Sequence, residues 1–388
     1  MIEAECLRNM NKARGRKRAD DTLDAGRRPS RFSLSAGSRL LTNTDLAELL
    51  AVEAETAHAP VNRALRRASR RAFLWPEEAS DILKTKRSLT ELQGIGPYLE
   101  KLIRTWFAHP PVFSTAPPVL RAGFLSFTEA QHILARAPAW LKGIKGDLQM
   151  HSSWSDGSAL IADMAAAAVE FNYEYIAITD HAKGLKIAGG IDEAQLRAQG
   201  EEIAAVNRSL ESDGKRLRVL RSIELNLDPA GRGDMDGSSL AELDIVVGCF
   251  HSALRRKEDQ TERYLAALRN PAIQIVGHPR GRIYNYRAGL SADWARVFAL
   301  AASLDKAVEI DAYPDRQDLS PDLLAVAKKA GCRISLGTDS HGPSQLRFMI
   351  LAAASALRAG IARDRILNFM PRDKLLAWVG DVRGRSAA

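Results

Sequence analysis

Between residues 146 and 341, short apolar runs recur, and one after another ends in a histidine or a carboxylate. Gly146-Asp-Leu-Gln-Met-His151 is followed five residues later by Asp156. Ala177-Ile-Thr-Asp-His181, Leu220-Arg-Ser-Ile-Glu224, Val246-Val-Gly-Cys-Phe-His251, Ile275-Val-Gly-His278 and Ile334-Ser-Leu-Gly-Thr-Asp-Ser-His341 repeat the pattern. Five of the chain's 8 histidines occupy such ends. A single histidine after an apolar strand is ordinary; this many, with Asp156, Glu224 and Asp339 in matching places, reads as a set of metal ligands. Strand ends meet on one rim of a β/α barrel, which brings residues distant in sequence together. Imidazole with carboxylate suits zinc, manganese or iron.

The intervening segments have helical length and pattern. Helices are expected over 158–171, 192–210, 259–268, 291–304 and 320–330, with strands near 175–179, 217–224, 243–248, 273–277, 307–310 and 333–336. Helices over 344–359 and 363–378 close the chain. Strands alternating with helices in this way call for a parallel sheet, and about seven units suit a closed barrel.

The residues also carry a family resemblance. Gly146-Asp-Leu-x-x-His, Ser155-Asp-Gly157, Thr179-Asp-His181, Gly277-His-Pro279, Asp311-Ala-Tyr-Pro-Asp-Arg316 and Thr338-Asp-Ser-His341 resemble the PHP (polymerase and histidinol phosphatase) domain, in the version attached to bacterial family X DNA polymerases. The resemblance implies a distorted seven-stranded β/α barrel over 146–380 that cleaves phosphoesters at up to three divalent metals. Carried over by position, the first metal takes Gln149, His151, Glu224 and Asp339; the second Glu224, His251 and His278; the third Asp156, His181 and His341. Glu224 bridges, and Glu224 and His251 are the catalytic candidates. Many such domains have His-x-His where this chain has Gln149-Met-His151. A glutamine oxygen is a harder donor than imidazole, so this site is expected to favour manganese or magnesium. Arg280 and Arg282, beside His278-Pro279, are the leading phosphate clamps, since a guanidinium matches phosphate oxygens two at a time. Arg316 is expected to brace the rim through Asp311 or Asp315.

Upstream the chain changes character. Residues 1–146 hold 24 Lys and Arg against 15 Asp and Glu, an excess that accounts for the whole net charge of +8 and points to a polyanionic partner. Residues 1–40, with Arg14-Gly-Arg-Lys-Arg18, read as a flexible basic tail. Residues 41–108 read as helical, with Arg63, Arg66, Arg67 and Arg70 on one helix and two short helical runs around Gly94-Ile95-Gly96, near Lys101. This stretch resembles the small helix-hairpin-helix domain of family X polymerases, which implies DNA contact through these residues. In such a turn, glycines let backbone N–H groups approach a phosphate closely. Residues 109–145, with Pro110, Pro111, Pro117 and Pro118, form a linker followed by a short helical piece near 127–137. This leaves no room for polymerase palm and fingers, and Asp234-Met-Asp236 reads as loop chemistry.

No stretch is apolar enough for a membrane helix, no secretory leader is legible, and three cysteines without a framework suit a reducing cytoplasm. The leading expectation is a metal-dependent phosphoesterase acting on DNA ends, as a 3′–5′ exonuclease or 3′-end phosphatase. The rivals are a small-molecule phosphatase of the histidinol-phosphate type and a non-catalytic DNA-binding repair adaptor. Since every ligand lies beyond residue 146, a chain starting near Lys145 is expected to keep hydrolysis of small esters.

Overall fold

A computed structural model describes residues 32–34, 40–113 and 116–387. The Arg14–Arg18 cluster lies outside them. Strand β1 (Phe32–Leu34) falls within the stretch expected to be a flexible tail, and pairs antiparallel with β2 (Pro111–Phe113).

The N-terminal helices are Asn43–Thr56, Val61–Ala72, Ala79–Lys84 and Pro97–Ala108. The first starts at Thr42, whose hydroxyl caps Asp45 N–H while the Asp45 carboxylate returns to Thr42, satisfying donors a helix start leaves orphaned. Their apolar faces make one core around Leu46, Leu50, Leu65, Trp75, Ile82 and Ile103. Helices Phe127–Ala135 and Ala139–Gly143 lead out of the linker.

The remainder alternates strand and helix. β3 (Gly146–Met150), β4 (Tyr175–Ile178) and β5 (Arg218–Arg221) form one parallel sheet, in that order. β6 (Glu224–Asn226), β7 (Val247–Cys249), β8 (Ile275–Val276), β9 (Ala307–Asp311) and β10 (Arg333–Gly337) form a second parallel sheet in sequence order. The sheets meet at two seams. Ala182 N–H donates to Glu224 O at 3.1 Å, and Glu224 N–H to Asp180 O at 3.1 Å. Asp339 N–H donates to Gln149 O at 3.0 Å, and His151 N–H to Ser340 O at 2.7 Å. Helices Ile161–Glu170, Glu193–Ser212, Thr261–Arg269, Trp294–Ser303, Pro321–Ala330 and Met349–Ala359 connect or flank the strands, with their apolar sides in the larger core.

One helix differs from expectation. Residues 363–369 make two short 3₁₀ turns and the last helix is Arg372–Ala387. Pro371 explains the shift: it disfavours helix in the residue before it and suits the start of the next one. That helix lies across the strands' N-terminal ends. Leu375, Trp378, Val379 and Val382 join Leu148, Tyr175, Val247, Ile275 and Ala307 in a third apolar cluster. Trp378 Nε1 donates to Asp305 O at 3.0 Å, just before β9. None of the described helices is long and apolar enough to cross a membrane.

The two halves share a core. Tyr284, from the loop after β8, is 1 % exposed and inserts among the N-terminal helices. Its ring meets Phe73 at 4.8 Å and Phe124 at 5.2 Å, both edge-on, and its hydroxyl lies 3.0 Å from Ser69 Oγ. Arg121 in the linker grips Glu48 through both carboxylate oxygens (2.7 and 2.9 Å) and reaches Asn285 Oδ1 at 3.2 Å. Gln317 holds the linker at Leu125 through N–H and C=O, each at 2.8 Å.

Candidate metal centre

The C-terminal strand ends carry the predicted groups to one point. Gln149 lies on β3 and His151 follows it; Asp156 sits in the next turn, closed by Gly157 N–H to Ser152 O at 2.9 Å. His181 follows β4, Glu224 opens β6, His251 follows β7, His278 follows β8, and Asp339 and His341 follow β10.

Glu224, fully buried, is the hub. Its Oε1 lies 2.8 Å from both His251 Nε2 and His278 Nε2. Its Oε2 lies 3.2 Å from His151 Nε2 and 3.6 Å from His181 Nδ1. His151 Nε2 also meets Asp339 Oδ1 at 2.9 Å. Asp156 Oδ1 faces His341 at 3.4 Å, His181 at 3.5 Å and His151 at 4.0 Å. The rings of His181 and His341 flank His151, with centroids 4.3 and 4.5 Å away. Groups capable of ligation gather as His151–Asp156–His181–His341, His181–Glu224–His251, His151–Glu224–Asp339 and Glu224–Cys249–His278.

Burial works against every charge here, and the partners decide the outcome. It pushes the Glu224 carboxyl up, but His181, His278 and the other imidazoles hold it well below its ordinary range. Burial likewise opposes ionised Asp339, which Arg316 and His151 keep low. It pushes His151 down, but Asp339 and Glu224 raise it well above a free imidazole. His251, with burial and the neighbouring histidines both against its cation, falls to about 4. Such opposed shifts mark a built polar site.

The residues fit metal ions. Among the described residues, His151 Nδ1, His181 Nδ1 and Gln149 Oε1 are buried without a hydrogen-bond partner, a costly state that ligation relieves. His278 and Asp339 have φ of +23° and +51°, a left-handed backbone for non-glycine residues of the kind that collects at functional sites. Outer groups orient the set: Asn226 Oδ1 faces His251 Nδ1 at 3.1 Å, and Asp339 O accepts from His341 Nδ1 at 2.8 Å.

Some expectations need correction. Arg282 is no phosphate clamp. It is 4 % exposed, its Nε donates to Arg316 O at 2.8 Å and its Nη2 to Gly123 O at 2.9 Å, and its guanidinium lies 3.8 Å over the Phe124 ring. It fastens the linker. Arg280 donates to Asp318 through its N–H (2.8 Å) and to Ser320 Oγ at 3.3 Å. Arg316 braces Asp339, at 2.6 Å, far more closely than Asp311, at 3.8 Å. The Gln149 amide presents Nε2 to Glu224 Oε2 at 3.0 Å, so its oxygen faces away from the expected first site. Replacing Gln149 by histidine is expected to raise zinc affinity about ten-fold, the order that one change around a ligand carries. Metal retained after dialysis measures it, and equal retention by both proteins would remove position 149 from the metals' surroundings.

Asp180 was missed as a functional residue. Its carboxylate accepts from Ser152 N–H (2.8 Å), Ser152 Oγ (2.6 Å), Ser155 Oγ (2.5 Å) and Gln199 Nε2 (2.7 Å), folding the turn that presents Asp156. The signal was its place inside Thr179-Asp-His181. Asp234 and Asp236 do serve a loop: Asp236 caps helix Gly237–Ala241 and Asp234 accepts from Gly184 N–H.

In the N-terminal part, Arg63, Arg66 and Arg67 are exposed and Arg70 is half-buried on helix Val61–Ala72. Gly94 has φ +89°, and a Cβ there would lie 3.6 Å from Arg71 Cγ, so the glycine turn abuts the arginine helix. Gly96 caps Pro97–Ala108, which carries exposed Lys101.

Comparison with known proteins places the C-terminal part of the chain. The model of the PHP domain matches residues 147–314, and the chain carries a PHP domain. It is 37 % identical over 226 residues to the DNA polymerase/3′-5′ exonuclease PolX of Bacillus subtilis (strain 168), a match over 58 % of this chain and 39 % of that protein. The chain thus spans about two fifths of that relative's length. A probable phosphatase of Thermoanaerobacter sp. (strain X514) is 28 % identical over 222 residues, 54 % of this chain and 83 % of the relative. The crystal structure of histidinol phosphate phosphatase from Lactococcus lactis subsp. lactis Il1403, complexed with zinc, L-histidinol and phosphate, covers 56 % of this chain and 94 % of its own at 19 % identity. Its TM-score of 0.43 adds nothing to the assignment.

Proposed function

We propose that the chain is a metal-dependent hydrolase of phosphoesters that works on DNA ends, as a 3′–5′ exonuclease or 3′-end phosphatase. The observation that carries the hydrolase reading is the buried Glu224 carboxylate faced by four imidazoles at 2.8–3.6 Å. On this reading β5 and β6 are one interrupted strand, and the two sheets make a seven-stranded ring with its ligands on one rim. His151, Glu224 and Asp339 hold the first divalent metal, Glu224, His251 and His278 the second, and Asp156, His181 and His341 the third. Bound there, the metals supply a hydroxide nucleophile at neutral pH and positive charge for the phosphate oxygens. Glu224 would contribute to both of the first two, Arg316 holds Asp339 ionised, and Asp180 holds the turn of Asp156.

The DNA-end reading draws on the named activity of the Bacillus relative and on the exposed arginines beside the Gly94–Gly96 turn, read as a helix-hairpin-helix grip in residues 41–108. It puts the protein in the cytoplasm with its substrate. The competing reading, a small phosphoester, draws on the probable phosphatases. Purified full-length protein with manganese or zinc, offered 3′-end-labelled single-stranded DNA, a 3′-phosphate oligonucleotide and histidinol phosphate, decides between them. Faster turnover of histidinol phosphate than of either DNA would overturn the DNA-end proposal.

A salt series sharpens this test. Replacing Arg63, Arg66 and Arg67 together by alanine should flatten the dependence of DNA binding on salt by about 0.7 log units per log unit of salt for each phosphate no longer engaged. An unchanged slope would take the arginine helix out of the interface.

A further inference from the structure

We propose that Cys249 is a ligand of the metal held by Glu224 and His278, giving this centre a soft, zinc-selecting pocket on one side. The inference rests on the metal-centre reading above.

The thiol lies where a ligand has to be. Cys249 ends β7 two residues before His251, on the inward face, and is fully buried. One ligating atom each from Glu224, Cys249 and His278 lies within 4.8 Å of the others, a spread that a single cation can gather. Glu224 Oε1 and His278 Nε2 are already 2.8 Å apart.

Two further observations point to a ligand in the same pocket. Gln149 Oε1 is buried without a hydrogen-bond partner among the described residues, because Nε2 of that amide is committed to Glu224. This acceptor and the thiol converge on the bare face of Gly277. A Cβ built there would stand 2.4 Å from Cys249 Sγ, 2.7 Å from Val247 Cγ1 and 3.2 Å from Gln149 Oε1, so the glycine makes room for a valine methyl as well as for the two donors. The glycine has no left-handed backbone to explain it; it leaves space for sulfur and amide oxygen to face inward together. A buried apolar role for Cys249 leaves the orphaned oxygen unexplained, whereas a cation beside both accounts for it.

On binding, the S–H bond breaks, a sulfur lone pair forms the bond to the cation, and the proton passes to solvent. Sulfur favours zinc over manganese and magnesium, whereas the carboxylates and histidines on the Asp156 and Asp339 sides accept harder ions. The centre therefore holds unlike metals at its two ends.

Cobalt(II) tests this, because thiolate ligation adds a near-ultraviolet charge-transfer band to the weak visible bands of any cobalt–histidine site. Full-length protein stripped by chelator and reloaded with cobalt should show both. Cys249→Ser should lose the near-ultraviolet band and keep the visible ones, whereas Cys332→Ser should keep both. Gly277→Ala, which sets a methyl against the sulfur, should weaken the band with the thiol still present. The zinc-over-manganese preference of Cys249→Ser should fall about ten-fold. Visible bands in the wild type without a near-ultraviolet band would overturn the proposal and leave the metal centre standing. A wild type that binds no cobalt would overturn both.

Discussion

Replacing Glu224 by glutamine is expected to strip metal from the centre and lower phosphoester hydrolysis by several orders of magnitude. The substitution keeps the shape and removes the one charge that four imidazoles share. Burial makes that charge costly unless it is paired; here His251 and His278 approach one oxygen while His151 and His181 approach the other. The neutral amide offers one acceptor and one donor, so two of the four ring nitrogens then meet an N–H group. Two metals should be lost together, which metal analysis and activity on a small ester will read. A folded Glu224→Gln protein with wild-type metal content and turnover would overturn the site assignment.

The second large effect concerns Tyr284. Tyr284→Ala should destabilise the whole chain by about 3–5 kcal/mol, the usual result of truncating a buried large aromatic, and should loosen metal at His278, six residues upstream. Chemical denaturation read by circular dichroism, with metal retention alongside, checks both. Loss of stability confined to the N-terminal helices, with metal affinity unchanged, would show that the loop after β8 stands without its anchor. The same geometry corrects the expectation that a chain starting near Lys145 keeps hydrolysis of small esters. Such a chain lacks Phe73, Ser69 and Phe124, so Tyr284 is left in water, and it lacks the Ala122 and Gly123 carbonyls that engage Arg282. Substitutions on the exposed arginine face are therefore the sound way to test the proposed DNA grip apart from the chemistry.

The candidate metal site was legible because His151, His181, His251, His278 and His341 each end an apolar run, and the fold does bring them together. Strand and helix positions were legible for the same reason of period, and the last helix was misplaced because Pro371 outweighs the pattern around it. What could not be read was direction. Arg280, Arg282 and Arg316 look alike in sequence, yet Arg282 turns to the linker and Arg316 to Asp339; side-chain aim is set by neighbours that only the fold brings near. A lone thiol in an apolar strand likewise carries no mark in sequence of the Glu224 and His278 that lie beside Cys249. Nor did any local signal predict that Tyr284 belongs to the core of the other half.

The helix Arg372–Ala387 stoppers the strands at the end opposite the ligands, with Trp378, Leu375 and Val382 packed beneath Leu148, Tyr175 and Val247. The metal centre is thereby a cul-de-sac. A polymer cannot thread past Glu224 and leave on the far side; it can only present something short, such as a terminus or a detached group, and withdraw by the mouth it entered. If the proposed DNA-end reading holds, such a geometry would receive a free end and not an internal stretch of the strand.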